Sequence, residues 1–189
     1  MRESPSFSRA DWYAAQLPIA KARSLVEAHH YAKGASNTAV YTHGLFNIHT
    51  GHCHGVAWWI PPTKSAAIAT YSGDWQRVLS LSRFVITPDT PKNAASFLLG
   101  ASMRMIDRSK WACLVTYADS WQGHEGTIYK ATNWTYVGVT KPSDVWIKDG
   151  RMVARKCGPK TRTKQEMLEL GAQLMGRFTK KKFIHVVGV

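Results

Sequence analysis

Acidic residues and cysteines are scarce in this sequence. Twelve Asp and Glu stand against 25 Lys and Arg, so the formal net charge is +13. The three cysteines, Cys53, Cys113 and Cys157, are too few and too scattered for a disulfide framework. This excludes the class of small secreted proteins held together by disulfides, and we expect a reducing, cytoplasmic environment.

Long apolar runs, repeats, low-complexity tracts and linkers are also lacking. No window approaches the roughly 20 apolar residues of a membrane helix, and the first residues, MRESPSFSRADWY, hold no apolar core of a secretory signal. We therefore expect no membrane partner. A chain of 189 residues without a linker is expected to form one domain, residues 1–189, with the basic C-terminal part 151–189 inside it.

Positive charge is concentrated towards the C-terminus. Residues 151–189 contain ten Lys or Arg and only two Glu. A polyanion is the natural partner of such a segment, although a solvated basic surface would leave the same pattern. We expect contact with nucleic acid, and the candidate DNA-binding residues are Lys160, Arg162, Lys164, Lys180, Lys181 and Lys182.

The hydrophobic periodicity indicates an α/β fold. It predicts four helices, at 18–32, at 94–109, from near Gly123, and at 163–176. It also predicts two hairpins, at 38–60 and 145–155. Three further strands are predicted at 77–87, 111–119 and 183–189. A strand–helix–strand order requires parallel neighbours, whereas hairpins require antiparallel ones. The expected architecture is a mixed central sheet flanked by helices.

Two stretches of the sequence that contain histidine are candidate metal sites. His124-Glu125 begins like the zinc-protease pattern His-Glu-x-x-His, but the second His would stand at Ile128, so the motif is absent. His49, His52 and His54 surround a predicted turn, and imidazoles in such a cluster suit zinc, iron or copper. The alternative is that these three are ordinary turn and strand residues, since their spacing matches no closed structural site.

Two charged residues lie on the predicted central strands. Arg83 is expected on the same side of its strand as Leu81 and Val85, and a buried Arg needs a partner. Asp119 ends the next strand, so parallel pairing would bring both to the carboxyl edge of the sheet, where ligands bind in open α/β folds. A structural ion pair between them is the alternative.

The segment after Asp119 offers further candidates. Gly123 and Gly126 permit close backbone approach at a helix start, where free N–H groups favour an anion. Tyr129 follows on the same predicted helix and either transfers a proton or simply packs. Ser96 opens another helix, as a cap or as a ligand contact.

Three runs, SRFVITPDTPKNAASFLLGASMR, YAD and GHEGTIYKATNW, resemble the Mom family of phage DNA-modification proteins, which are similar in outline to GCN5-related N-acetyltransferases (GNAT proteins). The resemblance implies a GNAT-like mixed sheet. It also implies transfer of a carbamoylmethyl group to the exocyclic amine of adenine in double-stranded phage DNA. This modification shields the DNA from restriction enzymes in the host cytoplasm.

The same resemblance implies roles for individual residues. The catalytic candidates are Arg83, Ser96, Asp119 and Tyr129. Apart from what the resemblance implies, the residues expected around the substrate pocket are His30, Tyr31, Gly123, His124, Gly126 and Asn133. The family link also makes iron a candidate metal, without identifying its ligands.

The loop between the first central strand and its helix departs from the acetyltransferase pattern. Acetyltransferases hold the coenzyme A pyrophosphate with a glycine-rich loop, but this chain reads TPDTPKNAAS there, and Pro88 and Pro91 each lack an N–H. Acetyl-coenzyme A is therefore disfavoured as the donor, and an aminoacyl carrier is the alternative. Two other functions stay open: an acyl-coenzyme A-dependent N-acetyltransferase of a small amine or protein, and a non-enzymatic nucleic-acid-binding protein. The oligomeric state is also open, with a homodimer as one candidate.

Overall fold

The computed structural model describes residues 7–35, 38–157 and 159–187. Its strands are β1 Trp12–Gln16, β2 Tyr41–Asn47, β3 Cys53–Ile60, β4 Val78–Ile86, β5 Cys113–Asp119, β6 Thr135–Val139, β7 Ser143–Lys148, β8 Arg151–Met152, β9 Lys156–Cys157, β10 Lys160–Thr161, β11 Gln173–Phe178 and β12 Lys180–Val186. Its helices are α1 Ile19–His29, α2 Lys64–Ile68, α3 Ala94–Arg104, α4 Thr127–Lys130 and α5 Lys164–Glu169.

A seven-stranded sheet in the order β1-β2-β3-β4-β5-β12-β6 forms the centre of the protein. β4 and β5 are its parallel pair, as predicted, because α3 crosses over between them. The remaining pairs in this sheet are antiparallel. The predicted mixed sheet flanked by helices is therefore confirmed.

The parallel pair opens towards its carboxyl end. β4 and β5 are in register from Val78↔Cys113 to Ser80↔Val115, and the ladder stops there. β12, in contrast, pairs with β5 along its whole length and places Lys180 opposite Asp119. The strands of an open α/β sheet bind ligands where they part, so this gap is the first place to look for a site.

A β-bulge in β4 changes which side chains face each way. Trp58 pairs with Arg83 whereas Trp59 pairs with Leu81, so Ser82 is the extra residue. Leu81 packs with the core that includes α3, and Val85 packs with the core that includes α1. The prediction that Arg83 shares a face with both was wrong for Leu81, because a bulge shifts the alternation by one residue.

Two apolar cores cover the faces of the sheet. Leu98 and Leu99 of α3 pack on one face against Trp59, and α1 packs on the other face against Trp58. A buried polar group also fixes α3: Ser102 Oγ lies 2.7 Å from His43 Nδ1 and accepts the Trp59 indole N–H at 2.8 Å. Burial lowers the pKa of His43 to about 4, so this imidazole is neutral at pH 7.

Residues 143–178, here called the β7–β11 module, follow β6 and precede β12 in the chain, and they contain a second, smaller sheet. Its strand order is β11-β7-β8, and β9 and β10 form a separate two-stranded ladder. The predicted hairpin at 145–155 is present, with Asp149 and Gly150 both at positive φ.

The predicted helix at 163–176 was wrong in its second half. α5 has the expected Thr163 cap, completed as a capping box with Glu166, but it ends at Glu169. Gly171 then adopts φ +81°, which breaks the helix, and β11 pairs with β7 instead. Its alternating residues were mistaken for a helical face because the segment is short and mixed in character.

Other element boundaries also differ from the sequence expectations. The helix placed from Gly123 begins at Thr127, since Gly123 and Gly126 both adopt left-handed backbone conformations. The last strand begins at Lys180 rather than at 183, and residues 188–189 of that prediction lie outside the described part. Among the described residues, no helix has the length and apolar character needed to cross a bilayer.

Candidate active site

Asp119 is the centre of a polar cluster at the carboxyl end of β5. Its side chain is 2% exposed, and Lys180 Nζ lies 2.9 Å from Oδ2. The Tyr31 hydroxyl donates to the same Oδ2 at 3.3 Å, and the Trp121 backbone N–H donates to Oδ1 at 3.1 Å. A buried carboxylate requires such partners, and Lys180 supplies the compensating charge from the neighbouring strand.

Arg83 does not form the predicted contact with Asp119. Its Nε donates to the Gly34 carbonyl at 2.8 Å, and its Nη1 donates to the Ser82 carbonyl at 2.7 Å. Arg83 therefore anchors the chain that follows α1, while Lys180 is the cation that pairs with Asp119. Burial lowers the pKa of Arg83, an effect opposed by the nearby Tyr31.

Tyr31 and His30 are uncharged polar groups beside this pair. Burial and then the charge of Asp119 raise the pKa of Tyr31, so the phenol keeps its proton. Burial, followed by the positive charge of Arg83, lowers the pKa of His30 to about 4. His30 Nδ1 accepts the Ala32 N–H at 3.0 Å, so the neutral ring carries its proton on Nε2. The His30 ring stacks on Tyr31 with centroids 4.3 Å apart.

A cavity of 510 Å³ fills the gap between β4 and β5, and we call it the strand-gap cavity. Its lining residues come from both strands, from the end of α1 and from the α4 turn: His30, Tyr31, Leu81, Ser82, Phe84, Thr116, Tyr117, Ala118 and residues 123–129. All the predicted candidates from Gly123 to Tyr129 lie here. Burial raises the pKa of Tyr129, opposed by a hydrogen bond with Thr116, so Tyr129 offers a neutral hydroxyl.

A second cavity, of 350 Å³, lies between Asp119 and the β7–β11 module, and we call it the module cavity. Its inner wall contains Tyr31, Arg83, Asp119 and Lys180. Its outer wall belongs to the module and contains Ser143, Asp144, Val145, Trp146, Met152, Val153, Ala154 and Phe178. Asp144 is held by Arg155 at 3.7 Å and by Arg177 at 3.6 Å.

The two cavities adjoin at the gap between β4 and β5, and most of their lining residues differ. On β5, Ala118 packs in the α3 core, and strand alternation turns the next residue, Asp119, to the other side. On β4, Leu81 and Phe84 line the strand-gap cavity, whereas Arg83 lines the module cavity. Tyr31 lines both. Molecules bound in the two cavities would therefore be neighbours at Tyr31, beside Asp119.

Ser96 and Asn133 are not part of this cluster. Both line another cavity, which runs along α3. The Ser96 hydroxyl donates to the Asn93 carbonyl at 2.9 Å, so it closes the first turn of the helix. Their assignment as site residues stays a prediction, and the structure attaches it to a different cavity.

The three histidines considered for metal binding are not assembled as ligands. His49 Nε2 lies 3.1 Å from Asp11 on the surface, and His54 Nδ1 lies 3.3 Å from Asp89. The His52 and His54 rings are 6.4 Å apart. In residues 7–35, 38–157 and 159–187, no group of three or more His, Cys, Asp or Glu is arranged to hold a metal ion. These residues do not fit the implied iron, and no chemical step is derived through it.

The predicted DNA-binding lysines of β12 have other partners. Lys180 pairs with Asp119, Lys181 with Glu125, and Lys182 Nζ donates to the Ala69 carbonyl at 3.0 Å. On the module, Lys160 Nζ lies 2.5 Å from Glu166. Arg162 donates to the Ala154 carbonyl at 3.5 Å, whereas Lys164 is exposed at the start of α5. The run Lys180–Lys182 thus belongs to the sheet and its site rather than to a uniform basic surface.

Sequence reasoning missed Lys180 as a partner of Asp119, and it missed the module residues Asp144, Trp146 and Phe178. The sequence held no signal for Lys180, because its place opposite Asp119 depends on the pairing of β12 with β5. None existed for the module residues, since their approach to Asp119 depends on how a separate sheet folds over the first.

The fold is that of solved acetyltransferases. The chain is similar to an IAA acetyltransferase from Bacillus cereus ATCC 14579, with 9% identity, a TM-score of 0.55 and coverage of 93% of this chain and 99% of that one. It is also similar to a GNAT family acetyltransferase from Elizabethkingia anophelis that was solved with acetyl-CoA bound. The identity is 7%, the TM-score is 0.56, and the match covers 95% of this chain and 100% of that one. A third similar structure is the ribosomal-protein-S18-alanine N-acetyltransferase from Escherichia coli. Here the identity is 11%, the TM-score is 0.52, and the match covers 94% of this chain and 95% of that one. These likenesses confirm the GNAT-like fold.

The comparison with curated protein sequences found no match to this chain. The Mom protein family, in contrast, matches residues 11–186. This match spans the central sheet, the Asp119 cluster and the β7–β11 module, so the chain belongs to the Mom protein family.

Proposed function

We propose that this protein is a group transferase that places a carbamoylmethyl group on the exocyclic amine of adenine in double-stranded DNA, and so protects phage DNA from host restriction. The observation that supports this most directly is the pair of neighbouring cavities that share Tyr31, whose hydroxyl donates to Asp119. The strand-gap cavity takes the donor of the group, and the module cavity takes the base. Membership of the Mom family supports the choice of DNA as the substrate.

The module cavity suits a base that has left the helical stack. An amine inside a duplex cannot be reached, so the nucleotide must rotate out into a pocket. The half-buried ring of Phe178 provides aromatic surface in this cavity, above the buried Trp146, and aromatic surface stacks on any base. Asp119 is placed to accept a hydrogen bond from an exocyclic amine, and Arg83 and Lys180 are donors for ring nitrogens.

Asp119 then has a role in the transfer. A carboxylate that accepts an N–H bond orients the amine, and it takes up the proton that leaves as nitrogen forms its new bond. Lys180 compensates the carboxylate charge at 2.9 Å. In the strand-gap cavity, the neutral hydroxyl of Tyr129 can donate to charge that develops on the leaving group.

The β4–α3 loop does not fit the pyrophosphate of coenzyme A. Pro88 and Pro91 have no N–H, the Thr90 N–H donates to the Thr87 carbonyl, and the Ala94 N–H donates to the Pro91 carbonyl. Two prolines, two engaged amides and the lack of glycine disfavour this loop as a pyrophosphate site, and with it acetyl-coenzyme A as the donor. The donor is instead a carrier that leaves from the CH2 carbon of the carbamoylmethyl group as the adenine nitrogen bonds to that carbon. The same loop disfavours the alternative of an acyl-coenzyme A-dependent N-acetyltransferase.

Mass spectrometry of nucleosides tests the proposal. DNA from cells that express the protein should contain a deoxyadenosine heavier by the mass of a carbamoylmethyl group and should resist restriction enzymes that the unmodified DNA does not. Unchanged deoxyadenosine in cells that contain folded protein would contradict the proposed function. It would favour the third alternative, a nucleic-acid-binding protein without activity.

The duplex is expected to bind on the β7–β11 module, which has eight Lys or Arg and four Asp or Glu. Arg151, Lys156 and Lys164 are exposed on it, and among the described residues none has a carboxylate partner. Changing all three to Gln should lower duplex affinity and reduce the slope of log K against log salt by about 2.7, since each phosphate contact contributes about 0.9.

A matched triple variant controls for the loss of charge alone. Lys92, Lys110 and Lys130 are exposed on the α3–α4 side, and their change to Gln removes the same three charges. Fluorescence anisotropy with a labelled duplex at several salt concentrations gives both slopes. Equal losses in the two variants would show that the module is not the DNA surface.

A further inference from the structure

A third cavity, of 460 Å³, runs along one side of α3, and we call it the arginine groove. Its α3 wall consists of residues three or four positions apart, which share one face of a helix about 16 Å long: Asn93, Ser96, Phe97, Gly100, Met103 and Arg104, with Arg108 beyond the helix end. Thr132, Asn133 and His185 form the opposite wall. The groove is open because α4 is only four residues long and ends before Asn133.

The groove is positively charged and has no acidic residue in its lining. Arg9, Arg104 and Arg108 contribute three guanidinium groups. In the part of the chain that the structure describes, none of them pairs with a carboxylate, and the Arg9 guanidinium lies 5.9 Å above the Phe97 ring. Phe97, Met103 and Leu114 add apolar surface. Guanidinium groups beside aromatic and apolar surface suit a ligand with both phosphate and a planar ring.

The arginine groove lies on the donor side of the sheet. α4 separates it from the strand-gap cavity: Gly126 to Tyr129 line the strand-gap cavity, and Ala131 to Asn133 line the groove. The β7–β11 module covers the opposite face. A duplex bound on the module therefore does not reach this groove, whereas a ligand whose reactive end occupies the strand-gap cavity has it as a neighbour.

We propose that the arginine groove binds the phosphate groups of a nucleotide, namely the carrier portion of the group donor, in place of the glycine-rich loop that this chain lacks. The naming of the ligand as the donor's carrier rests on the proposed function; the nucleotide site itself does not. A volume of 460 Å³ is within the usual range of small-ligand pockets. The phosphates would contact Arg104 and Arg108, and the planar base would lie on the apolar surface near Phe97.

Calorimetric titration of the full chain with ADP, with inorganic pyrophosphate and with a 20-base-pair duplex tests the site. The double variant R104Q/R108Q should bind ADP and pyrophosphate about 10- to 100-fold more weakly, since each lost charged hydrogen bond is worth about tenfold or more. Duplex affinity should be nearly unchanged. The control R151Q/K156Q, on the module, should show the reverse pattern. Thermal unfolding of each variant verifies that it is folded.

Two outcomes would overturn the inference. One is wild-type protein that binds neither ADP nor pyrophosphate. The other is R104Q/R108Q protein that loses duplex affinity as strongly as nucleotide affinity, which would make the groove a track for the DNA backbone. Because nucleotide binding is measured without turnover, a groove that binds ADP in a protein that leaves adenine unmodified would refute the proposed function and keep the site.

Discussion

Replacing Asp119 by Asn should reduce adenine modification by about 10²- to 10⁴-fold, the usual contribution of a positioned acid or base. Asn keeps the shape of the side chain and can still accept the Trp121 N–H, which donates to Oδ1 at 3.1 Å. It removes the negative charge that Lys180 compensates at 2.9 Å, and it is a far weaker proton acceptor. Nucleoside mass spectrometry on DNA from expressing cells measures the loss.

A surface carboxylate provides the matched control. Asp74 pairs with Arg77 at 3.4 Å, and both side chains are well exposed, so D74N should leave modification unchanged. The D119N protein should still bind duplex through the β7–β11 module. Full modification by D119N would exclude Asp119 as the acceptor of the proton. Loss of both duplex binding and cooperative unfolding would show that the residue mainly holds the structure together.

The carboxyl edge of the sheet was accessible to sequence reasoning. Alternating apolar strands around a helix predicted that β4 and β5 are parallel, and the structure confirms it. The position of Asp119 follows from that arrangement, because a polar residue that ends a buried strand lies at the edge where ligands bind. Tyr129 was singled out by the resemblance to the Mom family. The predictions of the parallel pair and of Asp119 depend only on local pattern and on one crossover connection.

The sequence alone could not predict which groups contact Arg83 and Asp119. Arg83 faces the module cavity instead of the side of Leu81 because of a single extra residue at Ser82. A bulge leaves no consistent mark in one sequence, yet it reverses every side chain beyond it. Lys180 becomes the partner of Asp119 through the insertion of β12 beside β5, a pairing between residues 61 positions apart in sequence numbering (180 minus 119).

The count of Lys and Arg predicted the charge of the segment, but it did not predict the contacts of each residue. The excess of Lys and Arg at 151–189 was real, but Lys180, Lys181 and Lys182 are engaged with Asp119, Glu125 and the Ala69 carbonyl. Neighbouring residues on a strand point to opposite faces, so a run of like charges in a strand cannot act as one surface. Arg151, Lys156 and Lys164, three module cations for which no carboxylate partner is found among the described residues, are exposed on the module, where we propose that DNA binds.

Replacing Gly126 by Ala should lower the stability of the protein by about 2–5 kcal/mol, the sum of overpacking a core and of straining a left-handed residue. An added Cβ would lie 2.3 Å from Phe183 Cζ, and Gly126 has φ +75°. Phe183 is fully buried and packs against Tyr129 and Tyr136, so its ring has no free space to enter. For a domain of this size, the midpoint of thermal unfolding should fall by roughly 5–15 °C.

Gly123 separates the two causes of that loss. It has nearly the same backbone conformation, φ +68°, but an added Cβ there meets nothing within 4 Å. G123A should therefore show the backbone strain alone, about 1–2 kcal/mol. Adding Phe183→Leu to G126A should recover part of the difference, because the ring that collides is removed. Equal destabilisation by G123A and G126A would refute the contact with Phe183. If G126A stays folded, its modification activity should still fall, since the α4 turn that Phe183 displaces is the one that carries Tyr129 into the strand-gap cavity.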